Sequence, residues 1–248
     1  MVTIDSDSIA VEKAITRLLA SLAKYGARFN DRLAIICRDG ELSIRTTTKV
    51  PPEQVLIGLP AECLLPVEDF SLSLSGNVIR ISDQNPTVSP SRCEIMERVI
   101  DVFNLTDKVS RHRFSTLSSL RRIRPEVYGR LCSGRITVDE QPPVRPSQND
   151  PMIDDLLDTR TLVYRLDPES NRHTLVMMPV IDYCNHHPFA HPYSPAVDPA
   201  GRRMLTARAF CPDSITRECF ARYGIYDSYD CFLHYGFADQ QTPFVISI

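Results

Sequence analysis

The chain has 248 residues, 43% of them hydrophobic and 24% charged, a balance that fills a sizeable core in one large domain or two small ones. Its formal net charge of −3 gives no electrostatic reason to expect nucleic acid or an anionic membrane as partner. No stretch approaches ~18 uninterrupted apolar residues, so no segment reads as a bilayer span. The opening MVTIDSDSIAVEKAITRLLASLAKYG has acidic residues early and no basic n-region, unlike a secretory signal. Eight cysteines, at 37, 63, 93, 132, 184, 211, 219 and 231, stand in apolar contexts with no CxxC pair. That usage predicts buried free thiols in a reducing compartment, with the cytoplasm as the expected address.

Residues 8–25 place Ile9, Ala10, Ala14, Ile15, Leu18, Leu19 and Leu22 on one face, which predicts an amphipathic helix capped by Ser6 or Asp7 and stopped by Gly26. From residue 33 the pattern changes to short β segments: LAIICR, a turn at Asp39-Gly40, ELSIRTTT, and QVLIGLP after Pro51-Pro52. Residues 70–82, FSLSLSGNVIRIS, alternate like a hairpin around Gly76-Asn77. Residues 92–137 turn helical, most clearly in RCEIMERVIDVFNL, and the proline-rich EQPPVRPSQNDP at 140–151 reads as a loop. TLVYRLD, TLVMMPVID and RMLTARAF read as strands; the closing RECFARYGIYDSYDCFLHYGFAD mixes one strand with a short helix. Short strands flanking a helical insert suggest one α+β domain rather than two.

The densest run of potential metal ligands is MMPVIDYCNHHPFAH, 177–191, with Asp182, Cys184, His186, His187 and His191. A zinc site wants three or four ligands converging tetrahedrally, usually at regular spacings. Here no two- or four-residue repeat exists, adjacent His186 and His187 point apart on any regular backbone, and Pro188 breaks a helix that would align them. The plain reading is a strand ending in a polar loop; a metal-dependent enzyme centred on 182–191 stands behind it.

Beside this segment lies a second pattern. Pro179, Asp182 and Asn185-His186 precede Glu218, Tyr223-Gly224 and Tyr235-Gly236-Phe237 in order. This set resembles the two C-terminal motifs of SET-domain methyltransferases, in the branch that includes the Rubisco large-subunit lysine methyltransferases. Upstream, residues 40–68 resemble that family's opening hairpin and Pro-ended strand, and Arg160 stands where a Ser-Arg pair is common. The likeness covers roughly 33–68 and 155–238, with the helical stretch between as the insert.

The resemblance implies a β-rich α+β SET-domain fold with a C-terminal pseudoknot and a helical insert. It implies one domain over 1–248, divided into an N-terminal helix (1–30), an N-terminal SET portion (31–91), the insert with its Pro-rich loop (92–154), a C-terminal SET portion (155–239) and a tail (240–248). It further implies S-adenosyl-L-methionine as cofactor. Backbone groups around Gly40 and Leu42, with Thr159, Asp182, Asn185 and His186, would hold that cofactor. Tyr223 would face the transferred methyl, and Tyr235 and Phe237 would line the acceptor channel. The acceptor would be a lysine or similar amine on a protein, peptide or small molecule, and no metal is needed. Asn185 and His186 then serve as hydrogen-bonding groups, leaving His187 and His191 as bystanders.

Three departures stand beside the likeness. Glu41-Leu42-Ser43 occupies the register of the usual Gly-x-Gly; Ser228 replaces an Asn; and only eleven residues follow Phe237, which leaves the family's C-terminal helical domain out of expectation. These departures keep open a second reading, a SET-like scaffold that binds or performs other chemistry. Individually, Tyr223, Tyr235 and Phe237 also read as packed core aromatics, and Asp182 as a turn cap. Finally, residues 111–135 carry Arg111, Arg113, Arg121, Arg122, Arg124, Arg130 and Arg135 against one acid, Glu126. A solvated face is the plain meaning; a patch recognising an acidic group is the sharper one.

Overall fold

Of the apolar face anticipated for residues 8–25, Ala14, Ile15, Leu18, Leu19 and Leu22 are buried, joined by Val11, along a helix Ile9–Lys24. Each fully buried aliphatic side chain there contributes about 1.5–3 kcal/mol relative to exposure. Ile9 and Ala10, by contrast, face solvent. The cap is Ser8 rather than Ser6 or Asp7: its hydroxyl accepts from the Val11 N–H. Ser6 is occupied elsewhere, ending a strand Thr3–Ser6 and bonding to Ser8. Gly26, at φ +93°, turns the chain left-handed so that the Ala27 N–H returns to the Leu22 carbonyl. The computed structural model describes residues 2–113, 124–132, 148, 150–167, 169–224, 226–235, 237 and 242. Most of the Arg-rich stretch 111–135 and of the proline-rich 140–151 lies outside the described residues.

Two compact units divide the chain, each assembled from three segments. The first comprises Met1–Leu65, Thr87–Thr106 and Met178–Ile225. In it Thr3–Ser6 pairs in parallel with Leu33–Arg38, which pairs antiparallel with Glu41–Thr46. A second, antiparallel sheet runs Ser194–Val197, Arg203–Arg208, Val55–Pro60, Arg28–Phe29. The helices Ile9–Lys24 and Pro90–Leu105 pack on each other. Across that seam Glu94 accepts from Ser21 Oγ at 2.8 Å, Lys24 Nζ at 2.7 Å and Tyr25 Oη at 2.7 Å.

The second unit comprises Pro66–Pro86, Asp107–Met177 and Tyr226–Ile248. It contains the anticipated hairpin, Phe70–Ser75 with Val78–Gln84, turning at Gly76 with φ +66°. A second hairpin joins Thr161–Tyr164 to Thr174–Met177. Helices Lys108–Arg113, Pro125–Cys132, Pro151–Asp158 and Ser228–Tyr235 belong here too. The Pro151–Asp158 helix starts at the last residue of the anticipated loop because Asp150 caps it, accepting from Met152 N–H, and Pro151 suits a first helical position. This mixture of short strands and helices is the α+β class that the sequence pattern implies. Among the described residues no helix is long and apolar enough to cross a membrane.

Candidate functional site

The site grows from irregular backbone after Met178. Val180 sits at φ +70°, a region that a β-branched side chain rarely enters and that costs on the order of 1–3 kcal/mol. It is fully buried, and the chain behind it closes a single 3-10 turn, Ile181–Tyr183. Asn185 and His186 then form a two-residue strand parallel to Phe220–Ala221. Hydrogen bonds extend the alignment: His187 N–H to the Ala221 carbonyl at 3.1 Å, and Arg222 N–H to the His191 carbonyl at 3.0 Å.

This pairing delivers Tyr223 to His186. The Tyr223 N–H donates to His186 Nδ1 at 3.2 Å, so the ring accepts there and carries its proton on Nε2. The Tyr223 hydroxyl donates to the Cys184 carbonyl at 2.6 Å. Its ring lies 5.3 Å from His186, tilted, and 6.4 Å from Tyr193, stacked at 26°. Tyr193 is a residue that sequence reasoning missed; its only signal is an aromatic two residues past His191 in HPYSP.

Asn185 faces solvent and its amide donates to Glu218 Oε1 at 2.7 Å. Glu218 is bridged to Arg45 on the Glu41–Thr46 strand. On that strand the Ile44 carbonyl accepts from Cys219 N–H at 2.8 Å and the Thr46 N–H donates to the Arg217 carbonyl at 3.1 Å. Residues 42, 44 and 46 alternate with those bonded to Leu33–Arg38, so Leu42 also turns its N–H and carbonyl outward, on the same edge beyond the last rung. The Leu42 side chain is core. Gly40 stands at the far tip, where Asp39 (φ +49°) and Gly40 (φ +75°) make the doubly left-handed turn of a two-residue hairpin. Asp182 is half-buried in the 181–183 turn, which packs against the same strand.

His187 is buried among Phe189, Phe210 and Phe220, with ring centroids 5.8, 4.9 and 5.6 Å away, and its Nδ1 accepts from the Phe189 N–H. His191 meets Phe210 edge-on. Their polar rings thus sit in an aromatic cluster. Among the described residues no three His, Cys, Asp or Glu side chains are placed to hold a metal ion. Burial, reinforced by Asp182, pushes the Cys184 thiol up to about 12, which makes it a poor nucleophile.

The remaining candidates lie in the second unit. Thr159 ends the Pro151–Asp158 helix and its hydroxyl donates to the Leu156 carbonyl at 2.9 Å. Tyr235 closes the Ser228–Tyr235 helix between Tyr226 (5.9 Å) and Phe237 (6.1 Å). Asp227 and Asp230 cap that helix reciprocally, and the Ser228 hydroxyl donates to the Thr242 carbonyl.

No protein-family model matches the chain, and no curated protein matches it by sequence. Solved structures do. The SET domain of LSMT bound to MeLysine and AdoHcy aligns with a TM-score of 0.51 at 13% identity, over 94% of this chain and 57% of that one. The SET domain of LSMT bound to Lysine and AdoHcy gives 0.49 over 92% and 58%, and Rubisco LSMT bound to AdoMet gives 0.48 over 92% and 57%, each at 13% identity. The chain therefore spans less than three-fifths of the length of these structures. Likeness at this identity speaks to architecture, and the architecture is a SET-like α+β fold.

Proposed function

We propose that the chain is an S-adenosyl-L-methionine-dependent N-methyltransferase acting on a lysine or similar amine of a protein, peptide or small molecule. One observation carries this reading: Tyr223 is held beside the Asn185–His186 strand by its own N–H, its hydroxyl and its ring. In support, the SET domain with the TM-score of 0.51 is bound to MeLysine and AdoHcy.

The donor set suits the cofactor. The exposed Asn185 amide and the outward N–H and carbonyl of Leu42 offer both donors and acceptors to a zwitterionic amino-acid group and an adenine edge. Asp182, beside them in the 181–183 turn, adds acceptor oxygens. When bound, S-adenosylmethionine supplies a methyl group on a cationic sulfonium, open to in-line displacement by a neutral amine. The chain's part is positioning, which can supply on the order of 7–11 kcal/mol. Tyr223 commits its proton to the Cys184 carbonyl, so its oxygen turns acceptor lone pairs to an amine N–H and aims the nitrogen. His186 fixes the Tyr223 backbone rather than transferring a proton. The roles that the sequence likeness implies for Thr159, Tyr235 and Phe237 rest on the motif and are tested by substitution.

A second reading is favoured by one feature. Glu41, Leu42 and Ser43 all carry side chains and all pair in register with Arg38, Cys37 and Ile36, where glycine would allow closer approach. That favours a SET-like scaffold repurposed for binding. Calorimetry with S-adenosylmethionine and AdoHcy, followed by labelled-methyl transfer to free lysine, lysine peptides and small amines, separates the two. Binding with transfer supports the enzyme; binding without transfer to any amine supports the scaffold; failure to bind ends both the cofactor assignment and the methyl-transfer reading.

A further inference from the structure

Away from Tyr223, the most pointed unassigned feature is a pair of cysteines eight residues apart in sequence whose sulfurs lie 2.7 Å from each other. Cys211 is half-buried and lines a cleft of about 480 Å³ with Thr46, Val50, Pro52, Phe210 and Arg217. Cys219 is buried. The backbone holds the two opposite one another. The Phe220 N–H bonds the Phe210 carbonyl at 3.0 Å, and the Cys219 N–H bonds Ile44. The connecting loop is ordered by Asp213, whose carboxylate accepts from the Ile215 N–H at 2.8 Å and the Thr216 N–H at 3.2 Å. Its carbonyl accepts from the Arg217 N–H at 3.0 Å.

We propose that Cys211 and Cys219 form a reversible dithiol–disulfide site, in which Cys211 is the peroxide-reactive sulfur at the cleft and Cys219 the resolving thiol beneath it. The environments of the two differ in the sense this requires. Hydrogen bonds from Cys219 and from the Thr46 hydroxyl hold Cys211 below the usual thiol range, whereas its contact with Cys211 and burial push Cys219 up. Arg217 lines the same cleft, with its guanidinium donating to the Thr47 carbonyl. Cys63, by contrast, is fully buried, and burial pushes its thiol up to about 12.

The chemistry balances with a hydroperoxide as oxidant. The Cys211 thiolate attacks one peroxide oxygen, the O–O bond breaks, and the departing oxygen takes a proton to leave as water, or as an alcohol from an organic peroxide. Cys211 is then a sulfenic acid. The Cys219 sulfur attacks the Cys211 sulfur, the S–S bond forms as the S–O bond breaks, and the hydroxyl departs as water with the Cys219 proton. The two thiols lose two electrons and two protons, and the peroxide gains them. Thiol exchange with an external dithiol returns the pair to the reduced form. Cys219 stands between Glu218, the acceptor for Asn185, and the Phe220–Ala221 strand that carries Tyr223, so oxidation cross-links the loop to the backbone of the Asn185–Tyr223 set. The proposal does not depend on methyl transfer.

The test uses the full chain. Reduced protein is titrated with hydrogen peroxide, remaining thiols are alkylated, and peptides are mapped without reduction. The expected result is loss of two hydrogen atoms, one dominant linkage between 211 and 219, and full reversal by dithiothreitol. Cys219→Ser should instead accumulate a dimedone-reactive sulfenic acid at Cys211. Cys211→Ser should slow peroxide consumption by at least about tenfold. A linkage to Cys184, dimedone labelling spread evenly over the cysteines, or an unchanged rate in Cys211→Ser would overturn the assignment. Because the wild-type map needs no variant, a substitution that fails to fold leaves the test standing.

Discussion

Tyr223→Phe removes one oxygen and leaves the ring, which makes it the sharpest probe of the site. The lost hydroxyl bonds the Cys184 carbonyl at 2.6 Å, and Cys184 is only 3% exposed. Its loss costs about 0.5–1.5 kcal/mol if water reaches the carbonyl, and up to about 3 kcal/mol if the carbonyl stays buried without a partner. For a chain of this size that lowers Tm by roughly 2–4 °C per kcal/mol. The Tyr223 N–H to His186 and the stacking on Tyr193 survive, so the backbone should hold. On the proposed mechanism the amine loses the group that aims it, and a misplacement near 1 Å costs on the order of 10²-fold in rate. The assays are urea unfolding, AdoHcy calorimetry and initial methyl-transfer rates at saturating cofactor. A modest loss of stability, unchanged cofactor affinity and a roughly hundredfold fall in kcat are expected. Were stability to fall while kcat held, Tyr223 would be a strap for the 184 carbonyl and nothing more.

Three further outcomes follow from the same contacts. Asn185→Ala removes an exposed amide bonded to Glu218, so calorimetry should show AdoHcy affinity reduced by about tenfold, the worth of one good hydrogen bond, with the unfolding midpoint little changed. Gly26→Ala drives a Cβ into the space held by Arg202 Nη1, at a backbone φ of +93°. It should cost about 1–3 kcal/mol in urea unfolding, partly by moving Arg202 off Asp198, which it bonds at 2.9 Å. Glu94→Gln tests the helix seam. Hydrogen bonds from Lys24, Tyr25 and Ser21 hold the Glu94 carboxyl down to about 2, below the usual value of roughly 4.3. Its stabilisation is therefore complete above roughly pH 4.3 and lost as pH falls towards 2. Urea midpoints of wild type and variant should differ steadily from pH 6 to 8 and converge near pH 2.

The sequence pattern revealed elements whose periodicity is local. The Ile9–Lys24 helix, the Gly76-Asn77 hairpin and the 33–60 strands all declare themselves by spacing and turn residues. Thr3–Ser6 did not, because a four-residue edge strand of exposed and half-buried residues has no apolar alternation; its pairing with Leu33–Arg38 is tertiary. Ser194–Val197 hid for the same reason, with a proline inside it and half its residues in solvent. At the site, Asn185, His186 and Tyr223 were legible as an ordered motif, but Tyr193 was not, since its stacking depends on parallel alignment of segments about thirty residues apart. The Cys211–Cys219 pair escaped because a seven-residue spacer fits no helical or CxxC rule; the Asp213-ordered loop and the tertiary bonds of Phe220 and Cys219 bring the sulfurs together.

The two polar residues of the short strand are built for different tasks. His186 is 8% exposed and is fixed through Tyr223, so its geometry is set before any ligand arrives. Asn185, its neighbour, points the other way along the strand and is held by one hydrogen bond to Glu218 at the surface. On the proposed function, a cofactor that reaches Asn185 finds one amide N–H engaged by Glu218 and meets the second N–H and the Oδ1 of the same side chain. The phenol that would aim the acceptor on that reading is held rigidly, its hydroxyl tied to the Cys184 carbonyl. The strain at Val180 belongs to the rigid half: burial of Val180, Ile181, Tyr183 and Cys184 over-determines that turn and so fixes the carbonyl to which Tyr223 is tied.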